Sequence, residues 1–167
     1  MKKILIFSIA YHPFVGGAEV AIKEITDRLP DYEYYMFTNK FDKTWQDKEK
    51  VGNINVIRIG HGKKMDKYLF PFRAVGYAAK LNKTVKFDFS WSMMAFYAGL
   101  AAMFFKGKSR VPYLLTLQSG DSDEFLRQRT WFWSYFYKRI YREPKMTQVI
   151  SKFLGKRSRK MGNKGEI

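Results

Sequence analysis

The 167-residue chain has no cysteine, which excludes a disulfide framework, a thiolate-bound zinc and a thiol nucleophile. Its two histidines, His12 and His61, leave little room for an imidazole-based metal site, and no metal ligands are assigned. Long apolar runs are missing too. None reaches the roughly 18–20 residues that span a bilayer; the longest candidate, Trp91 to Phe105, contains Ser92 and stops at Lys106, so it reads as a buried helix. The charged start Met1-Lys2-Lys3 leads into only Ile4-Leu5-Ile6-Phe7. That run is short for a secretory signal and suits a first strand. Acidic side chains are scarce: 15 Asp and Glu stand against 31 Lys and Arg, a net charge of +16.

What remains is ordinary for one folded α/β domain, residues 1–167, with 46% hydrophobic and 28% charged positions, 12 Gly and 5 Pro. Such a chain is long enough to bury a core, and disorder, collagen and repeat arrays are excluded. The charge is uneven. Residues 1–60 hold nine basic and eight acidic side chains, residues 61–126 ten and five, and residues 127–167 twelve and two, or net +1, +5 and +10. A one-sided field of this size attracts polyanions, whether anionic lipid, nucleic acid or phosphate-bearing substrates.

Along the chain, short apolar runs alternate with helical stripes. Strands are predicted at Lys3–Ser8, Glu33–Thr38, Ile54–Ile59, Phe87–Trp91, Val111–Leu117 and Met146–Ile150. Ala18, Ala21, Ile22, Ile25 and Leu29 form the apolar stripe of an amphipathic helix. Further helices are expected at Tyr68–Lys83, with Pro71 near its first turn, at Met93–Phe105, Phe125–Arg142 and Lys152–Met161. The polar stretch Asn39–Asn53 reads as a loop, with at most a helical turn. This alternation implies βαβ units: a Rossmann-like parallel sheet with helices on both faces. Ligands in such sheets bind beyond the carboxyl ends of the strands, which directs attention to Tyr11–Glu19, Ser92, Gln118–Glu124 and Ser151.

Three segments there carry chemical promise. Tyr11-His12-Pro13-Phe14-Val15-Gly16-Gly17-Ala18-Glu19 is a strand-to-helix turn. Its paired glycines allow a ligand close to the backbone, and the helix start offers unpaired N–H groups to an anion. It is neither a P-loop nor the Gly-x-Gly-x-x-Gly dinucleotide pattern, and a turn that needs glycine for geometry alone fits equally well. Leu117-Gln118-Ser119-Gly120-Asp121 offers hydrogen bonds to hydroxyl groups but no general base at Gln118; a plain turn capping the next helix is the alternative. Finally, Arg127–Arg142 packs Trp131, Trp133, Tyr135, Phe136, Tyr137 and Tyr141 among Lys138, Arg139 and Arg142. Rings beside cations suit a membrane interface, the face of a missing partner domain, or base stacking on nucleic acid.

Taken together, the segments Tyr11–Glu19, Pro112–Asp121 and Gln148–Leu154, with Met161-Gly162 near the end, resemble the N-terminal domain of GT-B glycosyltransferases of the family 4 type, over essentially the whole chain. The resemblance implies an acceptor-side Rossmann-like domain that faces a second such domain holding a sugar nucleotide. Gly16 and Gly17 would approach the donor phosphates; Gln118, Ser119, Gly120 and Asp121 would lie near the transferred sugar and acceptor. Many relatives carry His where this chain has Gln118, and no catalytic base is assigned. The donor-binding C-terminal domain, with its pair of glutamates, is not in these 167 residues, so a fragment or a split half awaiting a partner chain is expected, inactive by itself. The implied activity is hexosyl transfer to a glycan or lipid-linked acceptor, with a sugar nucleotide as donor substrate and no cofactor. It would take place in glycan or cell-envelope biosynthesis, in the cytoplasm at the inner face of the membrane. Trp131, Trp133, Lys138, Arg139 and Arg142 would meet the anionic surface, and nucleic acid is not an expected partner. The rival reading is a non-catalytic basic module that docks on anionic membrane or a partner protein.

Overall fold

The computed structural model describes residues 1–118 and 134–167. Among them are seven strands and five helices in the order β1 (Lys2–Phe7), α1 (Gly17–Arg28), β2 (Tyr32–Asn39), β3 (Lys48–Val51), β4 (Ile54–Ile59), α2 (Asp66–Val85), β5 (Phe89–Met93), α3 (Tyr97–Ser109), β6 (Tyr113–Leu117), α4 (Ser134–Arg142), β7 (Met146–Val149) and α5 (Lys152–Lys160). The strands form one sheet in the order β3-β4-β2-β1-β5-β6-β7. Every pairing is parallel except that of β3 with β4. This is the α/β Rossmann-like arrangement that the alternation of elements implies.

The central strands are buried on both faces, which is why they read as unbroken apolar runs. One core lies between the sheet and α1, built on Ile4, Ile6, Met36, Ile54 and Val56 with Ala18 and Ile22 from the helix. The other lies beneath α2, α3 and α4, around Leu5, Phe7, Phe70, Phe105, Leu115 and Ile140. Ile6, Ile22 and Phe105 are fully buried, each worth about 1.5–3 kcal/mol relative to exposure. On α1 the buried positions are Ala18, Ile22 and Thr26, a four-residue spacing that lays one stripe on the sheet. The Thr26 hydroxyl escapes burial cost by donating to the Ile22 carbonyl at 2.9 Å.

Three expectations need correction. The stretch 39–53 is not simply a loop, because Lys48–Val51 forms the edge strand β3, antiparallel to β4. Its sequence, Lys-Glu-Lys-Val, alternates exposed and half-buried positions and carries the charges that keep an open sheet edge from pairing with another chain. The β5–α3 unit is shifted towards the C-terminus, with the strand at Phe89–Met93 and the helix beginning at Tyr97. The buried serines there conceal the strand, but Ser92 donates to the Met94 carbonyl at 2.9 Å and so is satisfied locally. Pro71 is the sixth residue of α2, beyond its first turn, and is buried.

Start of α2 is organised by one carboxylate. Asp66 is 4% exposed. It accepts from the His61 and Lys63 N–H groups at 2.7 and 2.9 Å and from Arg73 Nη1 at 2.8 Å. Gly60, at φ +120°, lies so close that an added Cβ would stand 3.0 Å from the Asp66 side chain. Burial alone would raise the Asp66 pKa; the two N–H donors and the Arg73 guanidinium outweigh it and hold the carboxyl below its ordinary value. A depressed pKa contributes stability that is fully present above the unfolded carboxyl's range, about pH 4, and is lost as pH falls through the lower folded value. Asp66→Asn should therefore lower stability at pH 7 by about 1–3 kcal/mol. In denaturant melts followed at several pH values, the gap to the parent protein should close below about pH 4.

Candidate functional site

The sheet reverses its winding between β1 and β5. The chain leaves β1 through α1 on one face and returns to β5 through α2 on the other. The loops beyond these two strands therefore diverge and leave a crevice, the switch point at which open α/β sheets bind ligands. Register places Phe7 opposite Ser92, and Met93 opposite Thr116. The loops that follow β1, β5 and β6 thus line one edge.

After β1, Ser8 closes the strand by donating its hydroxyl to the Ala10 carbonyl at 2.7 Å. Tyr11 then turns inward and is 2% exposed. Its hydroxyl has no hydrogen-bond partner among the described residues, and burial, with Asp27 adding to it, pushes the phenol up to about 12. Residues 12–17 all lie on the surface. Gly16 caps α1 in extended conformation, φ −120° and ψ 176°, with no side chain bonded to the first turn. The first helical bond runs from Val20 N–H to the Gly16 carbonyl at 3.0 Å. The N–H groups of Gly17, Ala18 and Glu19 precede it and have no intrahelical acceptor.

Neither glycine is required by backbone geometry, since positive φ occurs at Gly52, Gly60, Gly62 and Gly162 but not at Gly16 or Gly17. A Cβ on Gly16 would meet only the flexible Glu19 carboxylate, and one on Gly17 would meet nothing within 4 Å. The fold leaves open space above Gly17.

The turn is pinned from the side. Phe14 sits edge-on to Phe41 and Trp45, with centroids 5.3 and 5.4 Å away. Arg58, reaching from β4, donates to the His12 and Gln46 carbonyls at 2.7 and 2.9 Å, pairs with Glu49 and lies 5.4 Å over the Trp45 ring. The Arg58 side chain is 2% exposed. Sequence reading passed over this residue. Its one visible signal is a cation inside the apolar strand Ile-Asn-Val-Ile-Arg-Ile. Arg58 also lines a groove of about 870 Å³ between β4 and α2, floored by Phe37 and Ile57 and rimmed by Lys43, Lys48 and Lys80.

The remaining predicted residues are distributed unevenly. Gln118 is half-buried immediately after β6, while Ser119, Gly120 and Asp121 lie outside the described residues. Ser151 serves as the N-cap of α5, accepting from Leu154 N–H at 3.2 Å, a structural duty. Between Gly16 and Gln118 in the line of loops stands Met94, a non-glycine residue at φ +72°, a conformation that costs a side chain energy and tends to cluster at functional sites. Nothing in the sequence marks it.

Of the residues expected at a membrane, Trp131 and Trp133 lie outside the described residues. Lys138 is exposed. Arg139 pairs at 2.5 Å with Glu143, the residue just past the end of its helix, and Arg142 folds over Gly162. The described rings of this helix divide between the two sides. Tyr137 and Tyr141 are buried, Phe136 is half-buried against Phe104, and Tyr135 is the exposed one. No helix among the described residues is long and apolar enough to cross a membrane.

The glycine geometry gives a direct stability test. Gly17→Ala should leave the melting temperature unchanged or raise it slightly, since alanine loses less entropy on folding by up to about 1 kcal/mol. Gly62→Ala should destabilise clearly, because φ is +78° and the new Cβ would stand 2.4 Å from Lys43 N. Thermal melts of the two variants check this ordering.

No protein-family model matches the chain. An uncharacterised glycosyltransferase of Methanocaldococcus jannaschii is 27% identical over 161 residues, which cover 92% of this chain and 42% of that protein. Sucrose-phosphate synthase from Thermosynechococcus elongatus superposes with a TM-score of 0.78 at 16% identity, covering 99% of this chain and 47% of that one. A shorter chain of the same synthase gives 0.72 at 15% identity and is itself 85% covered. The chain spans about half the length of the first two relatives. The structural likenesses show the fold, and the sequence likeness is to a glycosyltransferase. The chain has the Rossmann-like α/β architecture of the matched part of sucrose-phosphate synthase, and its sequence is similar to that of a glycosyltransferase.

Proposed function

We propose that this domain forms one side of the active cleft of a sugar-nucleotide-dependent transferase. The reaction would move a hexosyl group to a glycan or lipid-linked acceptor once a second Rossmann-like domain, on the same or a partner chain, completes the cleft. The observation that carries the reading is the unobstructed backbone at Gly17, at the start of α1 and beside the switch point.

The chemistry follows from the turn. In sugar transfer the bond between the anomeric carbon and a phosphate oxygen breaks, and the leaving nucleoside diphosphate gains negative charge. Backbone N–H groups and the positive end of a helix dipole, held in place beforehand, bind that oxygen more tightly as its charge develops. Residues without side chains at 16 and 17 let the phosphates reach them. Glu19 lies over Gly16 and is the acid that an arriving phosphate must turn aside. Gln118, and with it Ser119, Gly120 and Asp121, would hydrogen-bond sugar hydroxyls, since an amide orients a hydroxyl but does not take its proton.

Gly17→Val in the complete enzyme should reduce kcat/KM at least about a hundredfold, the scale of losing a transition-state donor, with the melting temperature preserved. Activity that survives the substitution contradicts the reading; activity lost in step with stability assigns the glycine to the fold. The 167-residue chain alone should bind sugar nucleotides at about millimolar affinity, roughly 4 kcal/mol. Titration calorimetry with several such nucleotides checks this, and micromolar binding would show that the second domain is not needed to hold the donor.

A further inference from the structure

The strands β2, β3 and β4 follow one another with no helix between them, and β3 turns into β4 through Gly52-Asn53 alone, with Gly52 at φ +56°. A parallel sheet gains its cover from crossover helices, so the side of β4 that faces α2 is only partly covered. Ile57, on that side, is half-buried, while Val56, on the α1 side, is buried. The groove of about 870 Å³ between β4 and α2 is the consequence. Gly60 and His61, at the carboxyl end of β4, line one end of it, on the edge of the sheet where the glycine turn also lies.

The groove is elongated and apolar at its base. Its α2 wall is Arg73, Tyr77, Lys80, Leu81 and Thr84, which follow at spacings of three and four on one stripe of the helix. From residue 73 to residue 84 the helix rises about 17 Å. Phe37 and Ile57 form the floor, and the Tyr77 ring, 58% exposed, stands on the wall above it. An aromatic face carries partial negative charge and so suits the C–H groups of a sugar ring.

Charge narrows the occupant. Lys40, Lys43, Lys48, Arg73 and Lys80 are in the lining, and the one acid there is Asp47. Two of these cations are answered within the fold, Lys40 by Asp47 at 2.7 Å and Arg73 by Asp66 at 2.8 Å. Lys43, Lys48 and Lys80 form no salt bridge among the described residues. Lys48 stands opposite Ile57 in the β3–β4 register, so both project to the groove side of the sheet. A cleft lined by one sign of charge, with apolar walls, focuses the field and concentrates anions. A small ion would meet the cations and leave the apolar length empty. Single-stranded nucleic acid stacks successive bases on several rings, and Tyr77 is the one exposed Phe, Tyr or Trp in this lining. We infer that the groove holds an acidic glycan, a sugar chain whose rings lie on the floor and on Tyr77 and whose anionic groups meet Lys43, Lys48 and Lys80. Such a chain is then the acceptor class of the proposed transferase, a step that rests on that reading.

The test is calorimetric titration of the full chain with hexagalacturonate, sulfated maltohexaose and neutral maltohexaose, with hexa-aspartate and a hexameric oligothymidylate as rival polyanions. Melting temperature is followed for every variant. An acidic sugar hexamer should bind at least about tenfold more tightly than the neutral one, and the stronger of the two acidic hexamers names the anionic group. Lys48→Glu with Lys80→Glu should weaken that binding about tenfold or more, and Tyr77→Ala about threefold or more, with the protein still folded. Lys152→Glu with Lys156→Glu, on α5 at the opposite edge of the sheet, changes the net charge equally and should cost less than about threefold, because distant exposed charges are screened. Neutral and acidic hexamers bound alike overturn the inference, as do folded groove variants that bind like the parent. So does an α5 variant that costs as much as the groove variant, which would assign binding to the field of the whole chain. A rival polyanion bound more tightly than either acidic sugar overturns it too, and gives the groove to a peptide or a nucleic acid. Failure of the transferase reading shows elsewhere, as turnover untouched by Gly17→Val, and leaves these affinities as they are.

Discussion

The organising constraint is the change of winding direction between β1 and β5. Because α1 covers one face and the later helices the other, no crossover bridges the carboxyl ends of these two central strands, and a crevice must remain there. Everything proposed for this domain's chemistry lies along that edge: the glycine turn after β1, Met94 after β5 and Gln118 after β6. The buried strands beneath are what make the edge rigid enough to hold loops in place.

The second constraint is how a surface turn of six exposed residues keeps one shape. Arg58 supplies much of the answer. From inside β4 it ties the His12 carbonyl to the Gln46 carbonyl and to Glu49. A buried guanidinium is costly unless its donors are used, so the arginine and the loops around it define one another. Phe14, wedged against Phe41 and Trp45, completes the clamp. The groove between β4 and α2 shares this wall.

The fold was legible in the sequence where burial is two-sided. Strands such as Ile54–Ile59 are apolar runs between turns, and α1 announces itself through Ala18 and Ile22. It was illegible where the local signal ran against the outcome. Lys48–Val51 looks like loop because an edge strand wants charge, and the bounds of β5 are obscured because Ser90 and Ser92 are buried but hydrogen-bonded. At the site, Gly16 and Gly17 were visible as a pair, yet only the structure separates a glycine needed for φ from one that leaves space. Arg58, Phe14, Phe41 and Trp45 work through contacts between distant segments, which no local pattern reveals. The basic aromatic helix was noticed for its composition. Of its described rings, Phe136, Tyr137 and Tyr141 pack inward, where α3 and its lead-in offer Phe96 and Phe104 to Tyr137 and Phe136, and Tyr135 faces out.

The claim on which the account turns is that the open backbone at the start of α1 receives phosphate. Backbone amide shifts recorded while the domain is titrated with inorganic pyrophosphate test it most directly, since each amide reports its own contacts. The account predicts the largest, saturable shifts at Gly17, Ala18 and Glu19, whose N–H groups have no intrahelical acceptor. Shifts centred instead on Lys43, Lys48 and Lys80 around the groove, with the glycine turn unmoved, would contradict it.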